Sequence, residues 1–343
     1  MTLRTADFDY RLPAELIAQE PLADRAASRL LVLDRGTGSI GHARFPAIVD
    51  LVGPEDVIVL NVSRVIPARL HGKRDGERPA ELLLVRELAD GTWIAMGHPG
   101  GKLKPGRRVT LGDDCVIEIV RRMGEGLRVV RFAGQLDAAA TIAKYGEVPL
   151  PPYIRRPPQD EDRARYQTVY AEHNGSVAAP TAGLHFTSEL LTQLRTKGVA
   201  VAQVDLHIGP GTFKPVEVED LADHPMHAEA YQVSDKAAEL INERRRAGGC
   251  VWAVGTTVVR TLETVAAPDG TIRPGAGDTS LFIHSPYTFR AVDRLLTNFH
   301  LPRSTLLMLV CAFGGYERVM GAYREAAKEK YRFYSYGDAM AIL

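Results

Sequence analysis

Only three cysteines occur in 343 residues, Cys115, Cys250 and Cys311, and no two form a CxxC pair. That scarcity argues against a disulfide framework or a thiolate zinc site and points to a reducing compartment. No apolar run approaches a membrane span, and the opening MTLRTADFDYRLP lacks the apolar stretch of a signal peptide. A cytoplasmic protein with no membrane attachment is expected. Neither sign of charge is in excess, since Lys+Arg and Asp+Glu both total 42. No global field draws the chain to nucleic acid, so RNA binding would need a local patch. Absence of GxxxxGK[ST] and of HExxH removes P-loop and zincin chemistry. A nucleophile elbow is missing too, which weakens a hydrolase.

What is present is a globular composition. Apolar residues make up 45% and charged residues 24%. A chain of this length corresponds to roughly two domains and can bury about three quarters of its unfolded surface. LPAELIAQ (12–19) reads as a short helix with Pro13 in its first turn. SRLLVLDR (28–35) is β-rich, FPAIVDLVG after it reads as helical, and DVIVLNVS (56–63) has the continuous apolar run of a strand covered on both faces.

From Val65 to Leu150 short strands alternate with Gly, Asp and Pro turns, which argues for a small antiparallel barrel or sandwich. LDAAATIAKYG (136–146) is a brief helix closing it, and VPLPPYIRRPP (148–158) is an extended connector. Beyond it, helices over 187–198, 234–249 and 256–267 alternate with strands over 199–209 and 250–255. Thr187 and Ser234 are the expected caps, and STLLMLVCAFGG and YERVMGAYREAAKEK supply two further helices. This rhythm predicts an α/β fold. Its larger domain, 1–64 and 151–343, would carry a mostly parallel sheet, and 65–150 would be an inserted β domain.

Several motifs admit two readings. GTGSIG (36–41) fits a dinucleotide fingerprint, but Pro46 falls where the phosphate-binding helix should continue, and a hairpin loop explains the same residues. Seven of the ten histidines lie between His173 and His300. Several occupy Gly- and Thr-rich loops at the ends of expected strands, where open α/β sheets place their ligands. His207 opens HIGPGTFKPV, His185 sits in APTAGLHF, and His227 lies in HPMHAEAY with Glu229. Taken singly, each could be an ordinary hydrogen-bonded or surface histidine. HPMH with Glu229 could offer metal ligands, but the spacing is not a standard one, and no metal is expected.

AVGTTVVR joins a strand to a helix through Gly255, Thr256 and Thr257, either as an anion site on free N–H groups or as an ordinary threonine cap. Phe213 in GPGTFKPV could stack on a base or simply close a tight turn. YRFYSYGDAM (331–340) interleaves aromatics with Arg332, as single-stranded RNA sites do and as a packed terminal strand would too. KLKPGRRV (102–109) and Arg155, Arg156, Arg163 and Arg165 supply local positive charge, as an RNA surface or as solvated turns.

Taken together the phrases resemble the S-adenosylmethionine:tRNA ribosyltransferase-isomerase family of queuosine synthesis. The resemblance runs nearly end to end: FDYRLPAELIAQEP (8–21), NVSRVIPARLHGK (61–73), GEVPLPPYI (146–154), GSVAAPTAGLHFT (175–187), LHIGPGTFKPV (206–216), HPMHAEAY (224–231), AVGTTVVRTLE (253–263), TNFHLPRSTLLMLV (297–310) and YRFYSYGDAM (331–340). Val62 and Arg303 depart from the residues common in the family. The resemblance implies a larger α/β domain with an inserted β-barrel. It implies a cytoplasmic enzyme, needing no metal or resident cofactor, that consumes S-adenosylmethionine as a substrate. The ribosyl group would pass to the aminomethyl group of preQ1 at the wobble position of tRNA and isomerise. Epoxyqueuosine-tRNA, adenine and methionine would result. A monomer is expected.

Placed on the family's motif positions, His185, His207 and His227 would supply acid and base, with Glu229 as orienter or alternative base. Thr181, Gly209, Gly211, Thr212, Phe213, Gly255, Thr256 and Thr257 would hold S-adenosylmethionine, and Arg64, Arg69, Lys214 and Arg332 the tRNA. Without the resemblance, an α/β hydrolase or transferase on a small anionic substrate and a non-catalytic RNA-binding module would both remain open.

Overall fold

The computed structural model describes residues 3–213 and 215–343. The chain opens with β1 (Arg29–Leu33), β2 (Ile40–Arg44), α1 (Ile48–Leu51), β3 (Val57–Asn61) and β4 (Ser63–Val65). Next come β5 (Arg69–Arg74), β6 (Arg78–Glu87), β7 (Trp93–His98), β8 (Arg108–Leu111), β9 (Cys115–Arg122) and β10 (Leu127–Phe132), then α2 (Ala138–Tyr145) and β11 (Gly146–Glu147). The rest comprises α3 (Asp162–Arg165), β12 (His173–Ser176), α4 (Ser188–Thr196), β13 (Ala200–Leu206), β14 (Glu229–Val233), α5 (Asp235–Arg246), β15 (Val251–Val254), α6 (Thr256–Val265), β16 (Gly275–Thr279), β17 (Arg294–Asn298), α7 (Thr305–Gly314), α8 (Tyr316–Lys328) and β18 (Ala339–Ile342).

Nine strands build the large sheet in the order β16-β14-β13-β3-β15-β17-β18-β1-β2. Its centre, β13-β3-β15-β17, is parallel, as is β18 with β1. The other pairings are antiparallel, so the sheet is mixed rather than mostly parallel. Connection chemistry accounts for this. GTGSIG is a hairpin turn that returns β2 against β1, which removes the dinucleotide reading. Two helices, α7 and α8, separate β17 from β18, and an even number of helical reversals brings the chain back antiparallel. Strands β3, β15 and β18 are buried at every residue, as strands covered on both faces must be.

One apolar core lies under α5 to α8 and includes Val59, Ile241, Leu262, Leu307 and Phe333. A second, with Ile58, Leu60, Leu194 and Trp252, lies under α1 and α4. The alternation of β3 explains the split, since Ile58 and Leu60 face one side and Val57 and Val59 the other. Ser234 and Thr187 cap their helices as expected, accepting from Ala237 N and Leu190 N at 3.2 Å each. LPAELIAQ does not form a helix. Only Ala14–Leu16 makes a single 3-10 turn, because Ile17 and Ala18 pair with Phe333 and the tertiary contact overrides local propensity.

Strands β5-β6-β7-β10-β9-β8 close into a ring, since β8 also pairs with β5, and β11 adds to β5. The barrel has its own core of Leu70, Leu82, Leu84, Val109, Ile117 and Ile119, with Ile142 and Tyr145 of α2 against it. Gly72 is required where the ring closes, because a Cβ there would stand 2.7 Å from Thr110 O.

Candidate active site

Strands β13, β3, β15 and β17 run parallel, so their carboxyl ends lie on one side of the sheet. That is where ligand sites of open α/β sheets form. After β15 the chain turns through Gly255, at φ +95°, a conformation glycine takes readily, directly into α6. No side chain caps α6, so the threonines do not act as caps; Val258 N donates to Gly255 O at 3.1 Å, leaving the N–H groups of Thr256 and Thr257 open. Thr257 Oγ1 is buried without a hydrogen-bond partner. These groups line a pocket with Ala178–Ala182, Thr181 among them, and with Thr297–Leu301 at the end of β17 and just past it. Asn298, fully buried, donates from Nδ2 to Tyr334 O at 3.0 Å, while its Oδ1 has no partner. His300 is bonded to Thr297 Oγ1 at 2.7 Å, and burial pushes its pKa down to about 3.

Leu306 lines this pocket and also a neighbouring one that holds His227, Glu229 and Arg260, so the two adjoin. Glu229 and Arg260 are both buried and form an ion pair. The second Glu229 oxygen accepts from Gly209 N at 2.9 Å, and Arg260 also donates to Leu281 O and Thr279 O at 3.0 and 3.2 Å. Both carboxylate oxygens are therefore engaged. The Glu229–Arg260 pair ties the 209 loop to α6. A Cβ on Gly211 would approach the His227 ring to 2.4 Å, so only glycine lets that loop lie against the imidazole.

The cleft continues to the barrel. His207, Gly209, Gly211, His227 and Glu229 face an apolar wall of Val85, Ile94, Met96, Met123 and Leu127. Arg86 of β6 and Asp278 of β16 meet at 2.9 Å and tie the barrel to the sheet edge. The His207 ring packs against Gly175, where a Cβ would come within 2.4 Å. Burial lowers the His207 pKa, with Asp205 opposing the shift and His173 adding to it. His207 is therefore neutral near pH 7.

Not every expected residue joins this cleft. His185 is buried in an adjacent pocket with Arg25, Ser28 and Arg165, bonded to Ser28 Oγ at 2.8 Å and stacked on Phe45. Burial pushes its pKa down to about 4, with the Asn298 side chain opposing. Arg64 is exposed and donates to Ala171 O, Arg69 reaches Glu81 at 3.4 Å, and Arg332 is held by Glu20 O. Tyr331, Phe333, Tyr334 and Tyr336 are buried, so YRFYSYGDAM packs on the core and is no RNA-stacking platform. The side chains of Thr212 and Phe213 and all of Lys214 lie outside the described residues. Among the described residues no group of three His, Cys, Asp or Glu is placed to hold a metal ion.

Sequence reasoning missed Arg260 and Asn298. Arg260 could have been found, since it lies four residues after Thr256 and one helical turn on the same face. Asn298 carries no such signal.

The family model described as "Queuosine biosynthesis protein" matches residues 5–342. S-adenosylmethionine:tRNA ribosyltransferase-isomerase of Symbiobacterium thermophilum is 51% identical over 343 residues, covering 99% of this chain and all of the relative. Its namesake from Coxiella burnetii is 50% identical, over 99% of this chain and 98% of that one. The crystal structure of S-adenosylmethionine tRNA ribosyltransferase from Thermotoga maritima superposes with a TM-score of 0.57 at 41% identity, covering 98% of this chain and all of that one. This chain therefore belongs to the queuosine biosynthesis proteins, the family of S-adenosylmethionine:tRNA ribosyltransferase-isomerases.

Proposed function

We propose that this protein moves the ribosyl part of S-adenosylmethionine onto the aminomethyl group of preQ1 at the wobble position of tRNA. The sugar rearranges to an epoxycyclopentanediol, giving epoxyqueuosine-tRNA and releasing adenine and methionine. One observation carries the reading: three separate motif loops, beginning at His207, His227 and Gly255, line adjoining pockets at the carboxyl edge of the sheet. The sulfonium acidifies the C5′ hydrogens, and His207, neutral and ringed by apolar wall, is in the form that accepts a proton. His227, which lines the same pocket, is assigned the second proton transfer, to the departing adenine.

The open start of α6, with Thr256, Thr257 and Thr181 beside it, suits the methionine carboxylate. Gly209 and Gly211, continuing into Thr212 and Phe213, are assigned to the nucleoside. Glu229 acts by holding that loop against Arg260. His185, away from the cleft, is assigned a supporting role through Asn298. Arg64, Arg69, Lys214 and Arg332 remain the assigned phosphate contacts. The reading further includes a cytoplasmic monomer with no resident cofactor, with a catalytic domain of 1–64 and 151–343 and an inserted barrel domain of 65–150.

Mixing the protein with S-adenosylmethionine and tRNA tests it by chromatography of free adenine. Adenine should form only when the tRNA carries preQ1. Adenine released without tRNA would identify a hydrolase, and tRNA binding without adenine a binding module.

A further inference from the structure

Beside the cleft, and sharing Ser335 with it, lies a small pocket lined by Arg25, Arg165, His185 and Gly337. Arg25 donates to Ala164 O at 2.7 Å and to Leu184 O at 3.3 Å, and Arg165 donates to Ala23 O at 2.9 Å and to Leu22 O. Carbonyls fix both guanidinium planes, yet neither arginine has an ion-pair partner among the described residues. Their charges repel each other, and Arg25 is half-buried. A carboxylate near that side is already spent. Asp162 takes both prongs of Arg156 at 2.6 and 2.8 Å and also accepts from Gln159 N and the Tyr336 hydroxyl. One further donor stands idle there: Arg165 Nε is buried without a partner. His185, only 4% exposed, lines the same pocket.

Two pre-oriented guanidiniums with no ion-pair partner among the described residues, one with an unpartnered Nε, make a site for a tetrahedral oxyanion. We infer that this pocket binds a phosphate group, and that the group is a backbone phosphodiester of the RNA substrate. The assignment rests on the reading of RNA as substrate. Its place next to Ser335 would anchor the strand one residue from the cleft, and so fix where the target nucleotide enters.

The test is binding of a labelled anticodon stem-loop to the full-length protein across a potassium chloride series. Arg165→Gln and Arg25→Gln should each weaken binding about 5- to 10-fold and reduce the slope of log K against log salt by about 1, with the KM for S-adenosylmethionine unchanged. Arg165→Lys, which keeps the charge, should keep most of the slope and controls for folding. Replacing loop phosphates one at a time by neutral methylphosphonates supplies a second readout on the unaltered protein. One linkage should lose affinity with wild type and lose nothing more with Arg165→Gln. Wild-type binding with an unchanged slope in both glutamine variants, or no linkage coupled to Arg165, overturns the site alone. Stabilisation by inorganic phosphate that needs Arg25 and Arg165, with RNA binding unaffected by their loss, assigns the pocket to a free anion and overturns the RNA assignment. Failure of the wild type to bind the RNA at all overturns the functional reading and this site with it.

Discussion

The barrel and the carboxyl edge of the large sheet solve different problems with the same residues. Inside the barrel the buried polar side chains are Thr92, Arg128 and Thr141, and Arg128 is fully used by the carbonyls of Leu103, Gly126 and Gly100. Its ion pairs, such as Lys73 with Glu77, sit in solvent. At the sheet edge the reverse holds. A charged pair, Glu229 and Arg260, is buried, and Thr257 Oγ1 and Asn298 Oδ1 are left without partners. Unpartnered buried polar atoms occur in the barrel too, at Arg74 Nε and Trp93 Nε1, so the buried charged pair is what separates the two regions. The barrel is a packed wall, and the edge is where chemistry is held ready.

Breaking the buried pair should have the largest effect on stability. Arg260→Ala leaves the Glu229 carboxylate uncompensated and should cost about 3–5 kcal/mol in urea unfolding. Arg260→Met with Glu229→Gln should recover much of that stability while activity stays lost, because the 209 loop is no longer tied to α6. Recovery of turnover along with stability would show that the pair is merely structural.

Next come the two glycines that admit imidazoles. Gly175→Ala and Gly211→Ala each put a Cβ within 2.4 Å of a histidine ring and must displace His207 or His227. A shift of about an ångström should lower kcat roughly 10²-fold, with little change in melting temperature for Gly211→Ala. Normal kcat in both would place these rings outside the reaction.

Acid separates the regions a third way. His185 and His300 are held neutral by burial, down to about 4 and about 3. The unfolded chain protonates them near pH 6.5, so it binds more protons below that value and stability falls as pH drops. The loss runs from about pH 6.5 toward pH 4 and 3, at up to about 1.4 kcal/mol per pH unit for each group. His185→Gln and His300→Gln should flatten that limb in urea titrations. The smallest effect belongs to the barrel surface, where Lys73→Ala should leave the urea midpoint within error of wild type.

Much of this was legible in the sequence, and for physical reasons. Ser234 and Thr187 announce helix starts because their side chains accept from the first turn. The barrel shows itself through Gly and Asp turns at short intervals, and the strand-end histidines through the α/β rhythm. What escaped depends on tertiary contact. LPAELIAQ carries a helical pattern, but Phe333 claims its backbone. Mixed sheet direction depends on how many helices intervene, not on strand composition. His185 looks like His207 in sequence, and only the stacking of Phe45 and the bond to Ser28 set it apart. Nor does the sequence show that both Glu229 oxygens are engaged, by Gly209 N and by Arg260.

Donation of the sugar rather than the methyl group is the central claim, and a double-label experiment tests it directly. S-adenosylmethionine carrying one label in the ribose carbons and another in the S-methyl group is incubated with preQ1-containing tRNA. The ribose label should enter the tRNA in step with adenine release and the methyl label should leave with methionine. His207→Asn with His227→Asn should slow both by about 10²- to 10⁴-fold. Methyl label in the tRNA, or ribose transfer at the wild-type rate in the double variant, would contradict the account.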